Sequence, residues 1–263
     1  MDAAAESRTR TDPVMTEIVR NGVIAVTEEM KTNLMRTAYN LIIYEALDFT
    51  TGLFTATGET VSIGMGLPMF IRGMAATLKA KLAHFGAAGL EPGDILITND
   101  GYVTGSHLNH VTVSLPIFHE GRLVAFACCM AHWLTVGGVL SGMTTDIFSE
   151  GLQIPILKLQ SKGKLNDDLV DIIKMNVHLP ERAMGDLRAQ LTAVRTGGAS
   201  SSCAIATARS WCSTPSPTSR TIPSAPRANA RAPSPTAPTR PSRSWTTMAS
   251  RSASASRSAC GSR

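Results

Sequence analysis

A change of composition near Ala199 limits what this chain can fold into. Residues 199–263 are mainly Ser, Ala, Arg, Pro and Thr without apolar periodicity, a composition typical of disordered segments. Residues 1–11 are polar and are also predicted to be disordered. We therefore predict three parts: a disordered N-terminus (1–11), a folded region (12–198) and a disordered, low-complexity tail (199–263).

Charge divides at the same place. Nine of the 25 basic residues, all of them Arg, lie in 199–263, which contain no acidic residue. Residues 1–198 hold the other 16 basic residues and all 20 acidic ones, so their net charge is −4. A basic nucleic-acid-binding arm is one interpretation of the tail, but such arms normally also contain Lys and aromatic residues for stacking. We predict no nucleic-acid partner.

The tail has a second interpretation, a shift of reading frame. With G or C at most free third codon positions, residues 235–250 read one base earlier give PDGTYEAESFMDDDG instead of PTAPTRPSRSWTTMAS. The same shift turns residues 210–219 into a segment similar to VVLDAVADI, which is apolar-periodic and acidic. We hypothesise a single-base insertion or deletion near codons 196–202. On this hypothesis the basic tail carries no information about partners.

A soluble cytoplasmic protein is expected from the first residues and the cysteines. The N-terminus lacks the apolar stretch of a signal peptide, and no apolar run approaches the roughly 18 residues that span a bilayer. Cys128 and Cys129 are adjacent in a strand-like run, so they point to opposite faces and make a poor disulfide pair. Both are expected in the core, not as nucleophiles.

The apolar patterns favour an α+β fold, with a mixed sheet, hairpins and flanking helices. Helices are predicted at 13–39, 70–85, 166–176 and 180–195, the first with Asp12 as N-cap. Strands are predicted on both sides of a turn at Thr57-Gly58, within 92–100, and at 111–118 and 122–133.

Three histidines are predicted to converge at the open end of a hairpin. The run His119-Glu120-Gly121-Arg122 is typical of a tight turn, and pairing 119 with 122 places His110 opposite Ala131 and His132 opposite Asn109. His107, three residues before His110, would then lie close to both. Imidazoles in this arrangement are suited to Zn, Mn or Fe, although a polar loop satisfying its own backbone is the alternative interpretation.

Carboxylates near these histidines are candidate catalytic groups. Asp100 and Asn109 are candidates for orienting a metal-bound imidazole. Glu45 and Asp48 have a spacing suited to acid and base roles, although solvated surface carboxylates are the alternative. The sequence contains no P-loop, no G-x-G-x-x-G and no G-x-S-x-G, so it carries no visible ATP site.

Six stretches in order resemble the hydantoinase B / 5-oxoprolinase family, which includes the alpha subunits of acetone and acetophenone carboxylases. They are DPVMTEIVRN (12–21), RTAYNLIIYEALDFTTGLF (36–54), PGDILITNDGYVTGSHLNHVTV (92–113), AHWLTVGG (131–138), DIFSEGLQIPILKL (146–159) and NVHLPERAMGDLRAQLTA (176–193). Family chains are roughly twice this length, so the resemblance implies a partial domain and supports the frameshift.

The resemblance implies a metal site and an ATP-binding partner of the hydantoinase A type. In carboxylase relatives, a His-x-x-Asp pair and a later His bind a metal; His107 and His132 match the two histidines. His110 stands where the carboxylate is usual, and Thr135 stands where many relatives have Asp. The implied ligand set is therefore His107, His110 and His132, in one component of a hetero-oligomer that acts on a small molecule.

Three functions follow as hypotheses. The first is a subunit of an ATP-dependent cyclic-amide hydrolase that opens a hydantoin, 5-oxoproline or lactam ring. The second is the alpha subunit of an ATP-dependent ketone carboxylase, against which the missing carboxylate at position 110 counts. The third is an inactive truncated fragment, whose uncovered apolar surface would cause aggregation.

Overall fold

The computed structural model describes residues 13–68, 70–139 and 144–213, with side chains described up to residue 201. The helices are α1 (Pro13–Thr37), α2 (Leu41–Tyr44), α3 (Phe70–Phe85), α4 (Gly101–Thr104), α5 (Ile147–Glu150), α6 (Asp167–Asn176) and α7 (Pro180–Ser213). The strands are β1 (Phe49–Thr55), β2 (Thr60–Met65), β3 (Ile95–Thr98), β4 (His110–His119), β5 (Arg122–His132), β6 (Leu157–Ser161) and β7 (Lys164–Leu165).

The seven strands form one sheet in the order β2-β1-β5-β4-β3-β6-β7. The α+β class, the hairpins and the flanking helices are confirmed. A mixed sheet was expected, but every strand pair in the described part of the chain is antiparallel. Short turns explain this, because antiparallel neighbours need only a tight connection, as at Gly58 and Gly121 with their positive φ values.

Helices cover both faces of the sheet. One face packs with α1, α6 and α7 around residues such as Met30, Leu34 and Val194, and the other packs with α3 through Met74 and Leu78. Cys129 lies on the face that packs with α1, α6 and α7, and Cys128 lies on the face that packs with α3, as their adjacency in a strand predicts. Burial raises the pKa of Cys128 to about 11 and that of Cys129 to about 12, so both are inert core thiols.

The helix ends agree partly with the sequence. Asn166 caps α6 by accepting from the Leu169 amide at 3.1 Å, as expected, whereas the Asp12 cap lies outside the described residues. Helix α7 extends to Ser213, beyond the predicted end at residue 195 and across the predicted boundary at 198. The predicted disorder of the remaining tail, 214–263, lies outside the described residues. No helix in the described ranges is long and apolar enough to cross a membrane.

Helix α7 holds the end of the central hairpin in place. The Gln190 side chain accepts from Trp133 Nε1 at 2.8 Å and donates to the Val111 carbonyl at 2.8 Å. Asp186 accepts from the Tyr39 and Asn40 amides, and the Asn40 side chain in turn donates to the His132 carbonyl at 2.7 Å. Because these groups are buried, their bonds fix the backbone that carries the histidines.

Candidate functional site

The hairpin of β4 and β5 places His110 directly opposite His132. The predicted register holds only for the last two pairs before the turn, where His119 faces Arg122. Between Ile117 and Phe118 the register shifts by one, so that Val124 is an extra residue in β5. The predicted pairings of His110 with Ala131 and of His132 with Asn109 are therefore wrong, because a bulge adds one residue to one strand.

The three histidine rings lie together. The ring centroids of His107 and His110 are 4.5 Å apart, those of His107 and His132 are 4.9 Å apart, and those of His110 and His132 are 5.0 Å apart. The predicted convergence is thus present. Each ring nevertheless has a different environment, and this decides which nitrogens can bind a ligand.

His110 uses both ring nitrogens inside the protein. Its Nε2 donates to Asp48 Oδ1 at 3.0 Å, its Nδ1 bonds the Ser106 hydroxyl at 2.8 Å, and Phe70 packs on its ring at a centroid distance of 4.3 Å. Burial acts to raise the pKa of Asp48, but the His110 hydrogen bond and the nearby imidazoles outweigh it and lower that pKa. Asp48 is therefore an ionised carboxylate beside the rings.

His107 keeps one nitrogen free. Asn109 Nδ2 donates to the Trp133 carbonyl at 2.9 Å, so its side-chain oxygen accepts from His107 Nδ1 at 3.2 Å. The Nε2 of His107 then carries a lone pair. Burial, followed by the charge of His110, lowers the pKa of His107, so the neutral form is favoured.

His132 has a buried ring nitrogen with no partner. Its Nδ1 is inaccessible to solvent and makes no hydrogen bond within the described residues. Burial first, and then the charge of His110, lowers the pKa of His132 to about 4, so the ring is neutral at physiological pH. An unpartnered buried nitrogen is unfavourable unless a ligand occupies it.

The spacing of the three rings suits a shared metal ion, but their hydrogen bonds do not leave all three free to bind one. Three imidazoles bound to one ion at roughly 2.0–2.1 Å have centroids about 5 Å apart, which agrees with the spacing. However, no group of three or more His, Cys, Asp or Glu among the described side chains is arranged to hold a metal ion. Both nitrogens of His110 already have hydrogen-bond partners, so this ring has none free for a metal. The three-histidine ligand set remains a prediction.

A cavity of about 350 Å³ adjoins the rings. His107, Asn109, His132, Thr135 and Glu150 contribute to its lining. Glu150 is the last residue of α5, and its Oε2 accepts from the Leu108 amide at 3.1 Å. Glu150 was not predicted as a site residue, although it lies within the family-like stretch 146–159, because it is far along the chain from His107 and only the folded loop brings the two together.

The other predicted carboxylates have separate positions. Asp100 caps α4 by accepting from the Tyr102 amide at 3.0 Å, and does not contact the described histidines. Glu45 ends α2 with an exposed side chain, and it likewise makes no hydrogen bond or ion pair with them. Of the three predicted catalytic carboxylates, only Asp48 lies at the histidines.

Thr135, which stands where many relatives have Asp, contributes a neutral hydroxyl instead of a carboxylate. Its hydroxyl accepts from the Gly137 amide at 3.1 Å and bonds His178 Nδ1 at 2.9 Å. A hydroxyl at this wall makes the cavity less negative than an Asp would. The cavity is thus lined by neutral imidazoles with one carboxylate, Glu150, and a second, Asp48, behind His110.

Comparison with known proteins identifies the family. The family model described as hydantoinase B/oxoprolinase matches residues 12–206. A protein of Methanocaldococcus jannaschii is 32% identical over 192 residues, covering 71% of this chain and 34% of that protein. The caprolactamase beta chain of Pseudomonas jessenii is 30% identical over 190 residues, covering 71% of this chain and 32% of that protein.

Solved structures agree. ATP-dependent caprolactamase from Pseudomonas jessenii superposes with a TM-score of 0.70 at 26% identity, covering 78% of this chain and 35% of that chain. Nucleotide-free acetone carboxylase gives 0.69 at 20% identity, covering 75% and 27%, a likeness of fold alone. This chain spans about a third of the length of the Methanocaldococcus jannaschii and Pseudomonas jessenii relatives. The chain belongs to the hydantoinase B/oxoprolinase family.

Proposed function

We propose that this chain is part of a subunit of an ATP-dependent hydrolase that opens cyclic amides such as hydantoins, 5-oxoproline or lactams. Relatives described as a caprolactamase beta chain, as 5-oxoprolinases and as one component of a putative D-/L-hydantoinase support this reaction class. The observation that carries the proposal is the cavity whose lining includes His107, His132 and Glu150. A partner subunit of the hydantoinase A type would bind ATP and complete a cytoplasmic hetero-oligomer.

The partner would transfer the terminal phosphoryl group of ATP to the amide oxygen, which activates the ring carbon. In the cavity, water adds to that carbon while Glu150 takes the proton. The ring C–N bond then breaks as the nitrogen receives a proton, which leaves an acyl phosphate. A second water hydrolyses the acyl phosphate to the carboxylate and inorganic phosphate. Asp48 contributes indirectly, since it holds His110 against the other two rings.

A divalent ion, Zn, Mn or Fe, would be held by His107 and His132, whose free nitrogens fit that role. When bound, it would supply Lewis-acid polarisation of the substrate oxygen or of water. His110 and Asp48 would orient the set, as partners behind metal ligands do. The orphaned Nδ1 of His132 is the main structural support.

The test combines the full-length protein with its partner, ATP and a panel of cyclic amides. We expect substrate-dependent phosphate release, with ring-opened product forming without bicarbonate. His107→Ala should lower turnover at least 100-fold and abolish stoichiometric metal content, whereas His84→Ala, an exposed control on α3, should change neither. Absence of substrate-dependent ATP turnover across the panel would exclude the hydrolase, and strict bicarbonate dependence would favour a carboxylase. Unchanged metal content in His107→Ala would exclude the metal role.

A further inference from the structure

The first half of α1 is apolar and uncovered. Val14, Ile18, Val19 and Ile24 are 65%, 56%, 37% and 44% exposed. Val23 is partly buried against the core, and the fully buried residues of α1 begin at Val26 and include Met30 and Leu34. A helix with apolar side chains on several faces is normally enclosed by other parts of a protein, and such a patch marks a contact surface. We call residues 13–25 the uncovered segment of α1.

Helix α7 runs antiparallel along α1. Asn33 donates to the Thr196 hydroxyl at 3.0 Å, and the Ser200 hydroxyl donates to Glu29 at 3.4 Å. Between them, Met30 lies so close to Gly197 that a Cβ there would be 2.5 Å from its sulfur. Position numbers therefore fall on α1 as they rise on α7. Both helices rise 1.5 Å per residue. About ten further residues of α7 would therefore lie beside the uncovered segment of α1.

The loss of burial on α1 coincides with the break in the sequence. Before the change of composition, α7 contributes buried residues that pack on α1, among them Gly197. The change of composition near Ala199 lies at the level of Glu29, close to Val26, where full burial on α1 ends. Read one base earlier, residues 210–219 give a segment similar to VVLDAVADI, whose spacing suits an apolar helix face.

We propose that the uncovered segment of α1 is the contact surface for the chain that continues α7 in the reading frame one base earlier. The relatives are about three times as long as the matched region, so a family chain has ample sequence to supply this cover. The proposal concerns packing, and it stands or falls independently of the reaction proposed above.

The first test compares the printed chain with one expressed from a gene in which one base is inserted near codons 196–202, so that the codons that follow are read one base earlier. Hydrogen exchange of residues 13–25 should slow at least 10-fold in the restored chain. Residues 167–176 of α6 serve as the control and should exchange equally in both chains. Equal exchange of residues 13–25 in both chains would overturn the proposal.

The second test places a charge on the surface. Ile18→Glu should lower the Tm of the restored chain, because it buries a carboxylate, but should leave that of the printed chain unchanged. Ile172→Glu on α6 is the matched control, since Ile172 is 51% exposed. Failure of the restored chain to fold with Ile18→Glu alone also supports the proposal. A restored chain that tolerates Ile18→Glu as well as Ile172→Glu contradicts it.

Discussion

At the scale of single residues, Lys81 shows how burial changes an ionisable group. It lies on α3 with no solvent exposure, and its ammonium donates to the Thr112 carbonyl at 2.9 Å and to the Ser114 hydroxyl at 3.0 Å. Burial lowers the pKa of Lys81 from 10.5 to about 7, against a smaller opposing effect of Cys128. Its environment thus disfavours the charged form despite two hydrogen bonds.

This lowered pKa predicts a pH-dependent stability. Between pH about 7 and 10.5 the unfolded chain binds the Lys81 proton more strongly than the folded chain, so the free energy of unfolding rises with pH. Above pH about 9 the raised pKa values of Cys128 and Cys129 act in the opposite direction, so the window to measure is pH about 7 to 9. We expect a rise of roughly 1–2 kcal/mol in urea titrations across that window, and its loss in Lys81→Met. Lys79→Met, which removes an exposed lysine from the same helix, should keep the rise. An unchanged rise in Lys81→Met would contradict the assignment.

The candidate site was only partly predictable from residues in sequence. His107, His110 and His132 were found because two are close along the chain and a turn signature relates them to the third. Asn109 was among the groups predicted to orient an imidazole, and it bonds His107. The contacts of Ser106 and Asp48 with His110 were not predictable, because only the fold brings these residues together. Glu150 and the exposed position of Glu45 likewise depend on loops that no periodicity describes.

At the scale of elements, the hairpin shows which part of a strand pair the sequence determines. The turn at Glu120-Gly121 was predicted from the residue types, because a tight hairpin turn needs positive φ and Gly adopts it readily. The observed φ values are 49° and 74°. The bulge at Val124 was not predicted, because an extra residue in an apolar run leaves no mark in the pattern. That one residue moves His132 from beside His110 to directly opposite it.

The link between α7 and this hairpin gives a prediction at the same scale. Gln190→Leu keeps a similar size but leaves the Trp133 indole N–H and the Val111 carbonyl without their side-chain partner. We expect about 2–4 kcal/mol of lost stability in urea unfolding. Thr192→Ala, an exposed change on the same helix, should cost less than about 0.5 kcal/mol. Equal losses in the two variants would show that the buried bonds contribute little.

At the scale of the whole molecule, the exposed apolar residues predict self-association of the printed chain. Besides the uncovered segment of α1, the large side chains of Tyr102 and Phe148 are 87% and 81% exposed. We expect concentration-dependent association in sedimentation velocity, reduced when Val14 and Ile18 are both changed to Glu. A soluble monomer of the printed chain that melts cooperatively would contradict this expectation and the hypothesis of an incomplete fragment.

The reading frame itself is a whole-molecule prediction. Resequencing the gene across the codons for Thr196 to Ser202 should show one base gained or lost. The longer chain would then be the protein on which function is measured. Confirmation of the printed frame would instead indicate a gene whose product keeps the histidine cluster within a shortened chain.

The supports of the histidine cluster lie upstream of the break. Asp186 and Gln190, which hold the hairpin end, come before Ala199 on α7. The uncovered segment of α1 lies beside the part of α7 that follows Ala199. If the proposed cover is present, a family chain divides near this point into a part that shapes the site and a longer part that encloses α1. Such a division is suited to a split protein: the longer part, supplied as a separate polypeptide, should bind the first part and rebuild the enzyme.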